Sequence, residues 1–132
     1  MTDFDESFYG ADDKMFDCDW VSVLYCVNKV LVFNQAIETE LEGKPKLLVA
    51  FTENAEQAGE KHSAFVTDSK YLRQVLTDEG RVFPFRAVIK VVKLGSVLAF
   101  KFFSPQTRIT EEDINNLKAF EMSQDRRFKN RK

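Results

Sequence analysis

The chain has 132 residues, of which 44% are apolar and 13 are Phe, enough for one core and one domain. Its formal net charge of −2 hides three blocks: −8 over residues 1–42, +5 over 43–108 and +1 over 109–132. No stretch approaches the roughly 18–20 apolar residues that span a bilayer, and the acidic start Met1-Thr2-Asp3-Phe4-Asp5-Glu6 is unlike a secretory signal, so a cytoplasmic protein is expected.

Residues 1–19 alternate acids (Asp3, Asp5, Glu6, Asp12, Asp13, Asp17, Asp19) with aromatics (Phe4, Phe8, Tyr9, Phe16) in no period, which predicts an acidic arm. From Trp20 to Ile37 the residues favour strands. They predict an extra strand at 20–27, a turn or bulge at Asn28-Lys29 and a first barrel strand at 30–38. The nearly continuous apolar run Lys46–Thr52 predicts a buried second strand. Residues 53–60 are polar, with a turn of helix through Ala55 and Ala58. His62–Thr67 is the third strand.

Asp68-Ser69 opens a helix whose apolar face is Leu72, Val75 and Leu76 and whose expected stop is Gly80. Pro84 leads into a fourth strand, Phe85–Lys93. The turn Leu94-Gly95-Ser96 leads to a fifth, Val97–Phe103. Thr110-Glu111-Glu112-Asp113 has the pattern of a capping box, and Ile114, Leu117 and Phe120 continue it as a C-terminal helix. Residues 20–121 then make one domain, followed by a basic tail at 122–132.

The residues argue against an enzyme. His62 is the one histidine, at a strand start, where a surface or capping role is the ordinary one. Cys18 and Cys26 lack metal or redox spacing and read as reduced thiols. Gly43, Gly59, Gly80 and Gly95 fall between elements and do not cluster as a phosphate-cradling loop would. Neither a catalytic residue, a metal site nor a cofactor is expected.

Strand alternation sorts side chains by face. With Ala64 and Val66 turned inward, Phe65 faces out. With Phe85, Ala87, Ile89 and Val91 inward, Arg86, Val88 and Lys90 face out. With Leu98, Phe100 and Phe102 inward, Lys101 and Phe103 face out. Phe65, Arg86, Lys90, Lys101 and Phe103, rimmed by Lys46, Lys61 and Lys93, then form a candidate nucleic-acid surface. Rings stack bases and cations neutralise phosphates, neither needing sequence information.

The element order strand, strand, strand, helix, strand, strand resembles the oligonucleotide/oligosaccharide-binding (OB) fold. The resemblance implies a mainly β barrel with an added C-terminal helix; an α+β open antiparallel sheet is the alternative. Ala64-Phe65-Val66-Thr67-Asp68-Ser69-Lys70-Tyr71-Leu72, followed by Phe83-Pro84-Phe85-Arg86-Ala87-Val88-Ile89, is similar to small proteins of bacteriophages and mobile elements. With the charge layout, this resemblance implies a single-stranded-DNA-binding protein acting beside replication or recombination proteins, with a homo-oligomer among the expected partners. The alternatives are a phage accessory or inhibitor module that binds protein, and a structural virion component.

Overall fold

The structure, a computed structural model, describes residues 18–53 and 61–130, the side chains of 125–130 excepted. The expected acidic arm up to residue 17 and the expected helical turn through Ala55 and Ala58 lie outside these residues.

The strands are β1 (Asp19–Trp20), β2 (Val30–Leu41), β3 (Lys44–Glu53), β4 (Lys61–Thr67), β5 (Phe85–Leu94) and β6 (Val97–Phe103). Helix α1 (Lys70–Leu76) follows β4, and helix α2 (Glu111–Asn130) follows β6. The expected order of five strands, a helix after the third and a helix at the end is present, in a mainly β fold. The strands form one mixed sheet in the order β1-β4-β3-β2-β5-β6. It is not closed. β1 pairs in parallel with β4 at Ser63 and Ala64, and no ladder joins β4 to β6, as a closed barrel would need.

The expected strand at 20–27 is replaced by the two residues of β1 and a 3-10 helix, Val23–Cys26. The Ser22 hydroxyl accepts a hydrogen bond from the Leu24 N–H and starts that turn. Asn28 adopts φ 65°, a left-handed conformation Asn tolerates, and its N–H donates to the Ile89 carbonyl as the chain enters β2. The bulge lies further on, between Phe33 and Gln35. There the inward parity of β2 changes from Leu31 and Phe33 to Ala36. Glu42 and Gly43, at φ 54° and 77°, make the tight β2–β3 turn.

Ser69 caps α1, its hydroxyl accepting from the Leu72 N–H at 3.3 Å, and Leu72 and Leu76 are buried. The helix ends at Leu76, short of Gly80, where Thr77 leaves the helical conformation at φ −106° and ψ 8° while its hydroxyl donates to the Arg73 carbonyl at 2.7 Å. The capping box is as expected: Asp113 accepts from the Thr110 N–H at 2.8 Å, and Thr110 accepts from the Asp113 N–H at 3.2 Å. Helix α2 runs on to Asn130, through most of the segment expected as a tail.

The core lies on one face of the sheet, built from Leu31, Phe33, Leu47, Val49, Phe51, Phe65, Ile89 and Val91, with Leu72 and Leu76 of α1 against it. Cys26 closes one end, fully buried. Burial pushes its thiol up to about 12; Lys29 pulls it down and Glu53 adds to the rise. A thiolate is therefore scarce at pH 8. Cys26 in the folded protein should resist iodoacetamide at that pH and react once urea unfolds the chain, as mass spectrometry would read. Labelling at the same rate in both states would contradict the placement.

Candidate functional site: a groove on the open side of the sheet

The structure divides the expected nucleic-acid surface. The largest correction concerns Phe65, which is fully buried in the core, while Val66 is 37% exposed. The register pairs Phe65 with Val49 and Ser63 with Phe51, so odd-numbered residues of β4 face inward. Ser63, Phe65 and Thr67 are the inward set. One ring buries more apolar surface than the small side chains of Ala64 and Val66 would. The flanking polar residue Thr67 is accommodated inward because its hydroxyl accepts from the Ser69 N–H at 3.0 Å. A one-residue slip moves every side chain of a strand to the other face.

On β5 and β6 the expected alternation holds, but the outward face is not open where Lys90 lies. Lys90 is buried. Its ammonium donates to the Arg108 carbonyl at 2.7 Å, pairs with Asp113 at 2.8 Å and sits 5.0 Å from the centre of the half-buried Phe103 ring. Neither Lys90 nor Phe65 is available to a strand of nucleic acid. Lys61 is exposed at the start of β4, 5.6 Å from the Tyr25 ring, which Lys29 also covers at 3.4 Å. Lys93 is exposed near the β5–β6 turn. Arg86 is exposed and lines a separate cavity beside Phe103.

Of the remaining set, Lys46 lines one feature of the surface and Lys101 approaches the same feature through the Tyr71 ring. Where a closed barrel would join β4 to β6, the molecule carries a groove of about 460 Å³. One wall is Val66 and Thr67 of β4 with Lys70 and Tyr71 at the start of α1. The other is Leu98 to Phe100 of β6, with Phe120 of α2 across it. The Phe120 and Phe100 rings lie 4.9 Å apart, fixing α2 over this end. The 3-10 helix contributes Val23 and Leu24.

The charge of this groove is selective. Lys46 is paired with Asp68 at 3.0 Å, and the hydrogen bond from Lys46 lowers the Asp68 pKa. Arg73, further along α1, is paired with Glu38 at 3.4 Å. Lys70 and Lys101 make no ion pair among the described residues. Their ammonium groups instead sit 6.0 and 5.5 Å from the centre of the half-buried Tyr71 ring. The result is an aromatic side chain with two cations, at the mouth of a groove floored by apolar side chains.

Sequence alternation could not have found Tyr71, because it is on a helix. The usable signal was position. Residues just after a capped strand–helix junction stand at the sheet edge, while Leu72 and Leu76 turn inward. His62 is exposed and belongs to a cross-strand link: the Thr52 hydroxyl accepts from Asn34 at 2.7 Å and lies 3.0 Å from His62 Nδ1.

Among the described residues no group of three His, Cys, Asp or Glu side chains could hold a metal ion, and no helix is long and apolar enough to cross a membrane. No curated protein and no solved structure matches the chain. A family profile does match, over residues 17–103, a span that holds all six strands, the groove's β4 and β6 walls and α1 but stops short of α2. By that match the chain belongs to the family described as a domain of unknown function, DUF8468.

Proposed function

We propose that this protein binds single-stranded nucleic acid, without sequence preference, in the groove between β4 and β6. The observation that carries the reading is the Tyr71 ring with Lys70 and Lys101 beside it at the groove mouth. A base stacks on the exposed part of the ring, and the two ammonium groups take the phosphates on either side of it. Val66, Leu98 and Phe100 give the groove apolar stretches of wall. The mainly β fold and the basic middle of the chain suit the same role, in the cytoplasm and beside replication or recombination proteins of a phage or mobile element.

Titration of a fluorescent oligo-dT at low and moderate salt tests it. Micromolar or tighter binding is expected, with log affinity falling against log salt by roughly 0.7 for each phosphate neutralised. Tyr71→Ala removes the stacking platform, and stacking is worth about 1–3 kcal/mol per base. Affinity should fall roughly 5- to 150-fold while urea unfolding changes little, since the ring is half-exposed. Absence of binding at low salt, or a Tyr71→Ala protein that binds as tightly as the parent, would refute the groove as a nucleic-acid site.

A further inference from the structure

A second cavity, of about 290 Å³, opens at the other end of α1 from Tyr71. Val75 of α1, Arg81, the β5 residues Phe85 and Arg86, and the β6 end with Phe103 and Ser104 line it. No carboxylate is among the described residues that line it.

The Arg81 guanidinium is held in place twice. It lies over the Phe85 ring at 4.6 Å, and its Nε–H donates to the Val75 carbonyl at 3.4 Å. These contacts orient the plane and occupy one of the five N–H donors. The terminal nitrogens make no hydrogen bond or ion pair among the described residues. An oriented guanidinium fork beside a second arginine is the chemistry that recognises a tetrahedral oxyanion through paired, charge-assisted hydrogen bonds; the Ser104 hydroxyl already donates to Gln106 Oε1 at 2.6 Å and only closes the rim. Stacking on Phe85 lowers the entropy lost when the fork is used.

We propose that this cavity is a phosphate-binding site, with Arg81 as the principal ligand and Arg86 beside it. Two sources of phosphate fit the same chemistry. One is a free phosphate or phosphomonoester. The other is the backbone of a strand already lying in the Tyr71 groove, in which case the proposal rests on the groove reading. Helix α1, seven residues and about 10 Å long, separates the two sites, and β6 runs past both.

The test follows the side-chain Nε–H signals of Arg81 and Arg86 by NMR, in the full chain, during separate titrations with inorganic phosphate and with a short oligo-dT. Saturable shifts of both signals are expected. Arg81→Gln should weaken binding roughly tenfold or more, as loss of a charged hydrogen-bond donor does. Arg81→Lys, which keeps the charge and the stem over Phe85, should restore only part; a urea melt of each variant separates lost folding from lost binding.

If oligo-dT moves the signals and Arg81→Gln lowers the salt slope by roughly 0.7, the strand supplies the phosphate. If inorganic phosphate moves them and oligo-dT does not bind, the site stands and the groove reading fails. If oligo-dT binds with both arginine signals unmoved and Arg81→Gln neutral, the phosphate site is overturned and the groove reading survives. Still signals with both ligands also overturn it.

Discussion

Replacing Phe33 with alanine should cost about 3–5 kcal/mol of folding stability, the range for a large ring removed from a core. Phe33 is fully buried at the centre of the sheet, where β2 pairs with both β3 and β5. Its ring lies 5.1 Å from Phe102, 5.5 Å from Phe85 and 6.4 Å from Phe51, so one truncation takes a partner from three other rings on three other strands. Ring pairs of this kind contribute about 0.5–1.5 kcal/mol each beyond the area they bury. Urea denaturation measures the loss. Val82→Ala, at a residue 75% exposed, is the comparison and should change stability by less than about 0.5 kcal/mol. Equal midpoints for the two variants would refute the central place given to Phe33.

The second large effect is at the Lys90–Asp113 pair, whose side chains are 8% and 12% exposed. Lys90→Met should destabilise the fold by about 3 kcal/mol or more, because removing one partner strands a carboxylate in a site that disfavours charge. The Arg108 carbonyl also loses its donor. Lys90→Met combined with Asp113→Asn should be milder than the sum of the two single changes, by a coupling of about 1–3 kcal/mol. The pair ties the start of α2 to β5, and Phe120 ties the helix further along to Phe100. The same variants should therefore loosen α2, visible as faster amide exchange around Leu117.

The pair also sets a pH dependence. Burial pushes the Asp113 carboxyl up. The hydrogen bond from Lys90 and those from Thr110 outweigh that, and the net result is a pKa below the ordinary Asp value. A folded-state pKa lowered in this way gives stability that is fully present above the unfolded value of about 3.9 and is lost as pH falls through the folded value. Acid unfolding curves should show this loss in the parent protein and a smaller one in the double variant. Identical acid limbs would show that the pair contributes no pH-linked stability.

Much of the architecture was legible from local pattern. Branched and aromatic runs marked β2 to β6, and turn residues separated them. Ser69 and Thr110 announced the two helix starts, since each side chain satisfies a backbone N–H that would otherwise lack a partner. On β5 and β6 strict alternation placed Ala87, Ile89 and Val91 inward and Arg86 outward. It failed on β4, where Phe65 and its neighbours could be fitted to either face and only the pairing with Val49 decides. The parity change at Phe33–Gln35 lies outside the reach of alternation altogether, because a bulge is a property of two strands together. The site suffered most from the failure on β4, since exposure of Phe65 was half of the expected stacking surface. Lys90 was rightly placed on the outer face, but alternation says nothing about a loop carbonyl and a helix carboxylate arriving to cover it.

The amino-acid order by itself determined strands β2 to β6, the helix starts, the turn residues and the basic character of the middle segment, because each depends on interactions within a few residues. Whether the sheet closes, which rings remain accessible and which lysines are already neutralised were decided only in three dimensions. Those outcomes turn on contacts between residues far apart in the chain, such as Lys90 with Asp113 and Tyr71 with Lys101. Their free energies depend on distance and desolvation rather than on neighbours in sequence.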